Sequence, residues 1–189
     1  MRVFVAVELD TPVLAAVQDT VNSLRRRIGE TLGARWVAPV SMHLTVRFIG
    51  HVADDRVPPI LDALSPPLEL APFDVALGDC GVFPPHGPPR VLWIGVTDGR
   101  PSLHAMHEIL NDRLLPFDFE PEERPYAPHL TVARVKNAPR RSGAAAREAV
   151  RAVRPSAVRC RISHATVFES RLSPRGPSYL ALAHIPLRT

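Results

Sequence analysis

The tetrapeptide His-Leu-Thr-Val occurs twice in the chain, at His43–Val46 and at His129–Val132. Histidine is scarce, 8 of 189 residues, and chance places an identical four-residue word on two of them in on the order of one such chain in a hundred. Each copy sets an imidazole and a hydroxyl two positions apart, on the same face of a β-strand. Two such strands brought together supply two titratable bases and two neutral hydrogen-bond donors. That inventory suits acid–base chemistry at a phosphate: one imidazole takes a proton from the attacking nucleophile while the other gives one to the departing oxygen, with no metal needed. The hydroxyls of Thr45 and Thr131 can donate to nonbridging oxygens as charge builds on them.

Alternation assigns His43, Thr45 and Arg47 to one face and Leu44, Val46 and Phe48 to the other. The second copy divides into His129 and Thr131 against Leu130, Val132 and Arg134. The Leu/Val side is fit to pack under helices, so the His/Thr side must meet water, a partner or a ligand. By this parity Arg47 is a candidate for contact with an RNA backbone.

The elements that position these strands follow from periodicity. Val3–Val7 reads as a buried strand. Asp10 or Thr11 caps a helix whose apolar positions Val13, Leu14, Val17, Val21, Leu24 and Ile28 recur at helical spacing, with Arg25, Arg26 and Arg27 on its solvated face. A short strand or turn starts at Trp36–Val37, and His43–Ile49 is a strand ended by Gly50. Asp54–Leu64 reads as a short helix. Phe73–Leu77 and Gly81–Phe83 read as two strands about a Gly78–Gly81 kink, and Pro84–Pro89 as an irregular loop. Val91–Thr97 is a strand and Pro101–Leu115 a helix with Leu103, Met106, His107, Leu110 and Leu114 on one stripe. His129–Val135 is a strand, Arg140–Val153 a helix, and Val158–Phe168 and Tyr179–Pro186 are closing strands around a turn at Ser173–Pro177. Strand, helix and HLTV strand recur in the same order over Val3–Ile49 and Val91–Val135. The expected class is therefore α+β: two lobes of antiparallel-rich sheet related by a pseudo-twofold, helices outside, and the motif strands facing a central groove, all in one domain over residues 1–189.

Composition sets the frame. Hydrophobic residues at 46% suffice for a core, and charged residues at 22% are ordinary for a globular chain. The net charge is +4, and Lys136 is the sole lysine. Arginine suits bidentate contact with phosphate, although a GC-rich coding sequence accounts for most of the Arg/Lys ratio. The basic balance permits a polyanionic partner such as RNA. Cys80 and Cys160 show no metal spacing and are expected as reduced, half-buried thiols. No apolar signal core or membrane span appears, which points to a cytoplasmic, soluble protein; with no heptad or apolar surface stripe, a monomer is expected.

With both motifs in hand, the chain resembles the 2H phosphoesterases, named for two H-x-[ST]-hydrophobic motifs, and most closely their RNA 2′,3′-cyclic phosphodiesterase branch, also called the 2′-5′ RNA ligase family. The opening RVFVAVEL, Trp36-Val37, PRVLWIGV at Pro89–Val96, PYAPHLTVARV at Pro125–Val135 and SPRGPSY at Ser173–Tyr179 all look like that branch's landmarks. The resemblance implies a bilobal fold and hydrolysis of RNA 2′,3′-cyclic phosphate ends, tRNA fragments among them, to 2′-phosphomonoesters without metal or cofactor. It implies His129 as proton acceptor, His43 as proton donor, Thr45, Thr131 and Arg134 as phosphate-binding residues, and Phe48 as an aromatic that stacks on the nucleobase. Parity opposes the last two to their histidines, so a bulge or strand end must turn Arg134 and Phe48 into the groove. The alternatives are a diesterase or ligase for 2′-5′ linkages or small cyclic nucleotides, and a non-catalytic RNA-binding module.

Other histidines carry less. His104 and His107 stand i, i+3 on a helix with no third ligand. His51, His86, His164 and His184 are isolated, and Ser163-His164-Ala165-Thr166 only echoes the motif. The arginines at 140, 141, 147, 151 and 154 read as a solvated helix face.

Overall fold

The valine-rich run near the N-terminus forms the middle of β1 (Arg2–Glu8) in a computed structural model that describes residues 1–28, 32–136, 138, 143–173 and 176–188. There follow α1 (Thr11–Ile28), β2 (Ala34–Trp36), β3 (His43–His51), α2 (Val57–Leu64), β4 (Leu68–Glu69), β5 (Phe73–Phe83), β6 (Val91–Asp98), α3 (Arg100–Leu114), β7 (His129–Val135), α4 (Gly143–Arg151), β8 (Val158–Ile162), β9 (His164–Ser173) and β10 (Gly176–Arg188).

The strands make one ten-stranded sheet in the order β4-β10-β9-β1-β3-β7-β6-β5-β8, with β2 on β7. All pairs are antiparallel except β4 with β10. The duplication seen in the sequence is the plan of the sheet. β1 and β3 on one side of the centre answer β6 and β7 on the other, and the halves meet where Leu44 of β3 pairs with Leu130 of β7. Both leucines are fully buried, where truncation of either to alanine costs about 2–5 kcal/mol.

Each crossover helix serves the half it did not come from. α1 leaves β1 and packs on β8 and α4, whereas α3 leaves β6 and packs on β3 and α2. Their apolar stripes fix this: Val13, Val17, Val21, Leu24 and Ile28 of α1 and Leu103, Met106, Leu110 and Leu114 of α3 are buried in one continuous core. Asp10 caps α1, its Oδ1 accepting the Val13 N–H at 3.0 Å. With helices on one face, the other face of the sheet stays open. No helix among the described residues is long and apolar enough to cross a membrane.

Several boundaries differ from the sequence expectation. β3 continues through Gly50, whose φ of +96° is open to glycine, to His51. β5 is a single strand, because the Gly78–Gly81 kink is a bulge at Asp79 (φ +20°) within continuous pairing to β6. The run expected as one strand over Val158–Phe168 breaks at Ser163 and feeds two partners, β8 to β5 and β9 to β1. The first turn of the expected Asp54–Leu64 helix is 3₁₀ (Asp54–Arg56). Arg140, Arg141, Pro174 and Arg175 of the expected helix and turn lie outside the described residues. Cys80 and Cys160 are free thiols but wholly buried rather than half-buried; burial pushes the Cys80 thiol up to about 12.

Candidate active site

The two HLTV strands obey simple alternation as far as the threonine and then break it at the same place. In β3 the pairing with β1 passes from Ala6–Thr45 to Val5–Arg47, leaving Val46 as an extra residue. In β7 the pairing with β6 passes from Trp93–Thr131 to Leu92–Ala133, leaving Val132 extra. A bulge at the last residue of each motif inverts the parity that follows. Arg47 and Ala133 turn inward and are buried, while Phe48 and Arg134 turn outward to the open face with the histidines. Phe48 and Arg134 thus reach the groove side by the bulge that their placement required.

Arg47 does not. It is 3% exposed and donates to the carbonyls of Phe48 (3.2 Å) and Glu120 (2.5 Å). Its guanidinium ties β3 to the 118–128 loop, so it is no contact for an RNA backbone.

A bulge frees backbone carbonyls, and buried carbonyls need donors. The Val46 carbonyl accepts Nδ1–H of His107 at 2.8 Å and the Thr45 carbonyl accepts the Tyr126 hydroxyl at 3.0 Å. The His107 and Tyr126 rings stack with centroids 4.5 Å apart and planes 7° from parallel. In the second copy the Val132 carbonyl accepts the Val37 N–H at 3.0 Å. His107 is accordingly a buried structural group, and His104 is exposed with its ring edge-on to Tyr126.

The motif histidines are held alike. His43 donates Nδ1–H to the Ser41 carbonyl at 3.0 Å, and His129 donates Nδ1–H to the Ala127 carbonyl at 2.7 Å, each two residues upstream. A carbonyl can only accept, so both neutral imidazoles carry their proton on Nδ1 and leave Nε2 bare. Aromatic rings fix the planes. Phe4 and Tyr179 each lie 4.9 Å from the His43 ring, and Phe83 stands edge-on to His129 at 5.0 Å.

Burial lowers His43 from 6.5 to about 4. Arg134 pushes the same way, and the Ser41 hydrogen bond and Glu8 oppose. His129 is lowered as well, by burial first, with Arg134 adding and the Ala127 bond opposing. One cation, Arg134, therefore faces both imidazoles.

The open face between the strands holds two adjoining cavities of about 270 and 330 Å³. His43, Thr45, Arg134, Pro177 and Tyr179 line both. Thr131, Ser41, Val37, Ala38 and the β2 residues Arg35 and Trp36 complete the first; Arg2, Phe4, Phe48 and Ser170 complete the second. His129 is not part of either lining. The antiparallel Leu44–Leu130 pair sets it across from Thr45, as it sets His43 across from Thr131, so its ring flanks the cavities half-buried on the same face. The sequence reading missed Tyr179, Phe4, Arg2 and Arg35. Tyr179 lies in the SPRGPSY landmark and Arg35 beside Trp36, so position along the chain was the available signal; their approach to His43 is a matter of strand order.

A duplicated α+β sheet with a matched pair of H-x-T strands at its centre is the architecture of a 2H phosphoesterase. The chain belongs to the 2′-5′ RNA ligase superfamily, which residues 12–173 match. It is 30% identical over 183 residues to an RNA 2′,3′-cyclic phosphodiesterase of Methanothermobacter thermautotrophicus, covering 95% of each chain. It is 28% identical over 183 residues to the protein of that name from Thermotoga maritima, covering 96% of this chain and 93% of that one. Among solved structures, TT0787 of Thermus thermophilus superposes with a TM-score of 0.79 at 27% identity, covering 100% of this chain and 98% of that one. E. coli LigT complexed with 3′-AMP shares the fold, with a TM-score of 0.77 at 20% identity and the same coverage.

Proposed function

We propose that this protein hydrolyses RNA 2′,3′-cyclic phosphate ends to 2′-phosphomonoesters by two-histidine acid–base catalysis. The observation that carries the proposal is the matched tethering of His43 and His129. Each has Nδ1 bound to a carbonyl and Nε2 bare, beside cavities lined by both motif threonines and Arg134. The names of the relatives support the substrate class.

In this mechanism the cyclic phosphate sits against Thr45, Thr131 and Arg134, whose donors stabilise charge gathering on its nonbridging oxygens. Nε2 of His129 removes a proton from water as the oxygen attacks phosphorus. Nε2–H of His43 protonates O3′ as the P–O3′ bond breaks, leaving the 2′-phosphate. Burial, with Arg134 adding, lowers His43 to about 4, so it acquires its proton with the substrate, whose negative charge favours the imidazolium. Phe48 offers an exposed ring for the terminal base.

The test is an oligoribonucleotide ending in 2′,3′-cyclic phosphate, with the product resolved as 2′- or 3′-phosphate. We expect 2′-phosphate, undiminished turnover in EDTA, and losses of about 10²–10⁴-fold in His43→Ala and His129→Ala. A 3′-phosphate product, or full activity in either variant, refutes the mechanism. Bound RNA left intact by the wild-type protein points to a binding module instead.

A further inference from the structure

On the same open face, one strand beyond His43, three side chains from three neighbouring strands converge: Glu8 at the end of β1, His164 at the start of β9 and His184 in β10. One potential ligand atom from each lies within 4.8 Å of the others, and the three form the sole such group among the described residues. All three are exposed, and the catalytic scheme uses none of them.

The hydrogen bonds beneath the cluster set its chemistry. Thr166 is completely buried. Its hydroxyl lies 2.9 Å from Oε2 of Glu8 and 3.0 Å from Nδ1 of His184. A hydroxyl has one proton, and the carboxylate can only accept, so that proton goes to Glu8. Nδ1 of His184 must then donate to the Thr166 oxygen, which leaves Nε2 of His184 a bare lone pair on the exposed side. Ser163 Oγ lies 3.3 Å from Nδ1 of His164, and Nε2 of His164 is 3.9 Å from Oε2 of Glu8. Imidazoles held at Nδ1 by a second group, with Nε2 free beside a carboxylate, form the arrangement in which histidines ligate metals.

We propose that Glu8, His164 and His184 bind a zinc-class divalent ion. Two imidazoles and one carboxylate select Zn²⁺, Co²⁺ or Ni²⁺ over Mg²⁺, which takes oxygen ligands. Tetrahedral coordination with Zn–N of about 2.0–2.1 Å brings ligand atoms to roughly 3.3 Å from one another. The cluster must therefore close by roughly 1.5 Å at its widest, which exposed side chains do by small χ rotations. The fourth position opens to solvent. The ion pins β1 to β9 and β10 and engages the carboxylate whose charge faces His43. It is not part of the phosphate chemistry.

The experiment is calorimetric titration of the untagged, chelator-treated protein with Zn²⁺ and, separately, Mg²⁺, with Co²⁺ absorption as a second readout. We expect one Zn²⁺ per chain, no Mg²⁺ binding, visible Co²⁺ d–d bands, and a higher melting temperature with Zn²⁺. His164→Ala and His184→Ala, at exposed positions that leave the fold intact by circular dichroism, should each abolish the bands. Thr166→Val, which keeps the buried volume but frees His184, should weaken Zn²⁺ binding about 10–100-fold. Absence of Zn²⁺ binding by the wild-type protein, or equal binding by the alanine variants, overturns the proposal.

Discussion

Replacing His43 with glutamine should make the protein less sensitive to acid, by an amount the structure sets. The imidazole is held near 4 in the folded chain against 6.5 in an unfolded one, chiefly because burial opposes its charge. Between those values the unfolded state binds a proton that the native state refuses. His43 therefore costs no stability above about pH 6.5 and destabilises progressively as pH falls toward 4. The fall from 6.5 to about 4, at about 1.36 kcal/mol for each pKa unit, amounts to roughly 3 kcal/mol at the acid end. Urea unfolding at pH 7 and at pH 4 should show the wild-type protein losing about 3 kcal/mol more than His43→Gln between them. Imidazole NMR titration, with His43 assigned by its absence in the variant, reads the same quantity directly. With His43 held near 4, only about one imidazole in a thousand is protonated at pH 7 in the free protein. Binding of a nucleoside 2′-phosphate should therefore take up a proton, seen as a binding enthalpy that depends on the ionisation heat of the buffer. A His43 that titrates near 6.5 in the free protein, or a wild-type-minus-variant stability that is flat with pH, refutes the reasoning.

Two further substitutions probe the bulges. His107→Leu leaves the buried Val46 carbonyl without its donor and should cost about 1–3 kcal/mol in urea unfolding, with a raised KM for RNA ends as Phe48 loses its fixed position; unchanged stability and KM would separate His107 from the bulge. Phe48→Ala, at an exposed ring, should leave stability within about 0.5 kcal/mol while raising KM for a base-bearing cyclic phosphate but not for a small aryl phosphodiester; equal effects on both substrates would remove Phe48 from base contact.

How far the sequence could be read depends on where its local rules stop applying. Alternation assigns His43, Thr45, His129 and Thr131 to one face, and β3 and β7 do alternate strictly through those positions. The duplicated strand–helix–strand order likewise announced the sheet's pseudo-twofold, since apolar stripes such as Val13–Ile28 and Leu103–Leu114 are local properties. Alternation failed at Arg47, and the reason is not local. The bulge at Val46 is stabilised by His107, 61 residues away, and by Tyr126, 81 residues from Thr45. Nothing within HLTVRF reports those donors. The cavity walls were hidden for the same reason. Tyr179 and Phe4 reach His43 because β10, β9, β1 and β3 stand side by side, and strand order is fixed only by closure of the whole sheet. The Ser163–Thr166 echo was visible, but its meaning depends on Glu8 and His184, 158 and 18 residues from Thr166.

The bulges explain how two nearly identical strands build an asymmetric site. An unbroken strand would present its first, third and fifth residues to the groove; a bulge at the fourth replaces the fifth with the sixth. In β3 that exchange removes Arg47 to the core and supplies an exposed aromatic ring, Phe48, with the Arg2 guanidinium over one face at 5.0 Å from the ring centroid. In β7 it removes Ala133 and supplies the guanidinium of Arg134. The repeated H-x-T gives the symmetric part of the chemistry, an imidazole and a hydroxyl from each half. The sixth residue gives the direction. Arg134 acts on both imidazoles and Phe48 lies beyond Thr45, which in the proposed function draws an anionic group to the centre of the sheet and a flat ring toward β1. A nucleotide end carries just those two groups, joined by a sugar, so under the proposed function the order of residues after each valine would orient it without any departure from the twofold plan of the backbone.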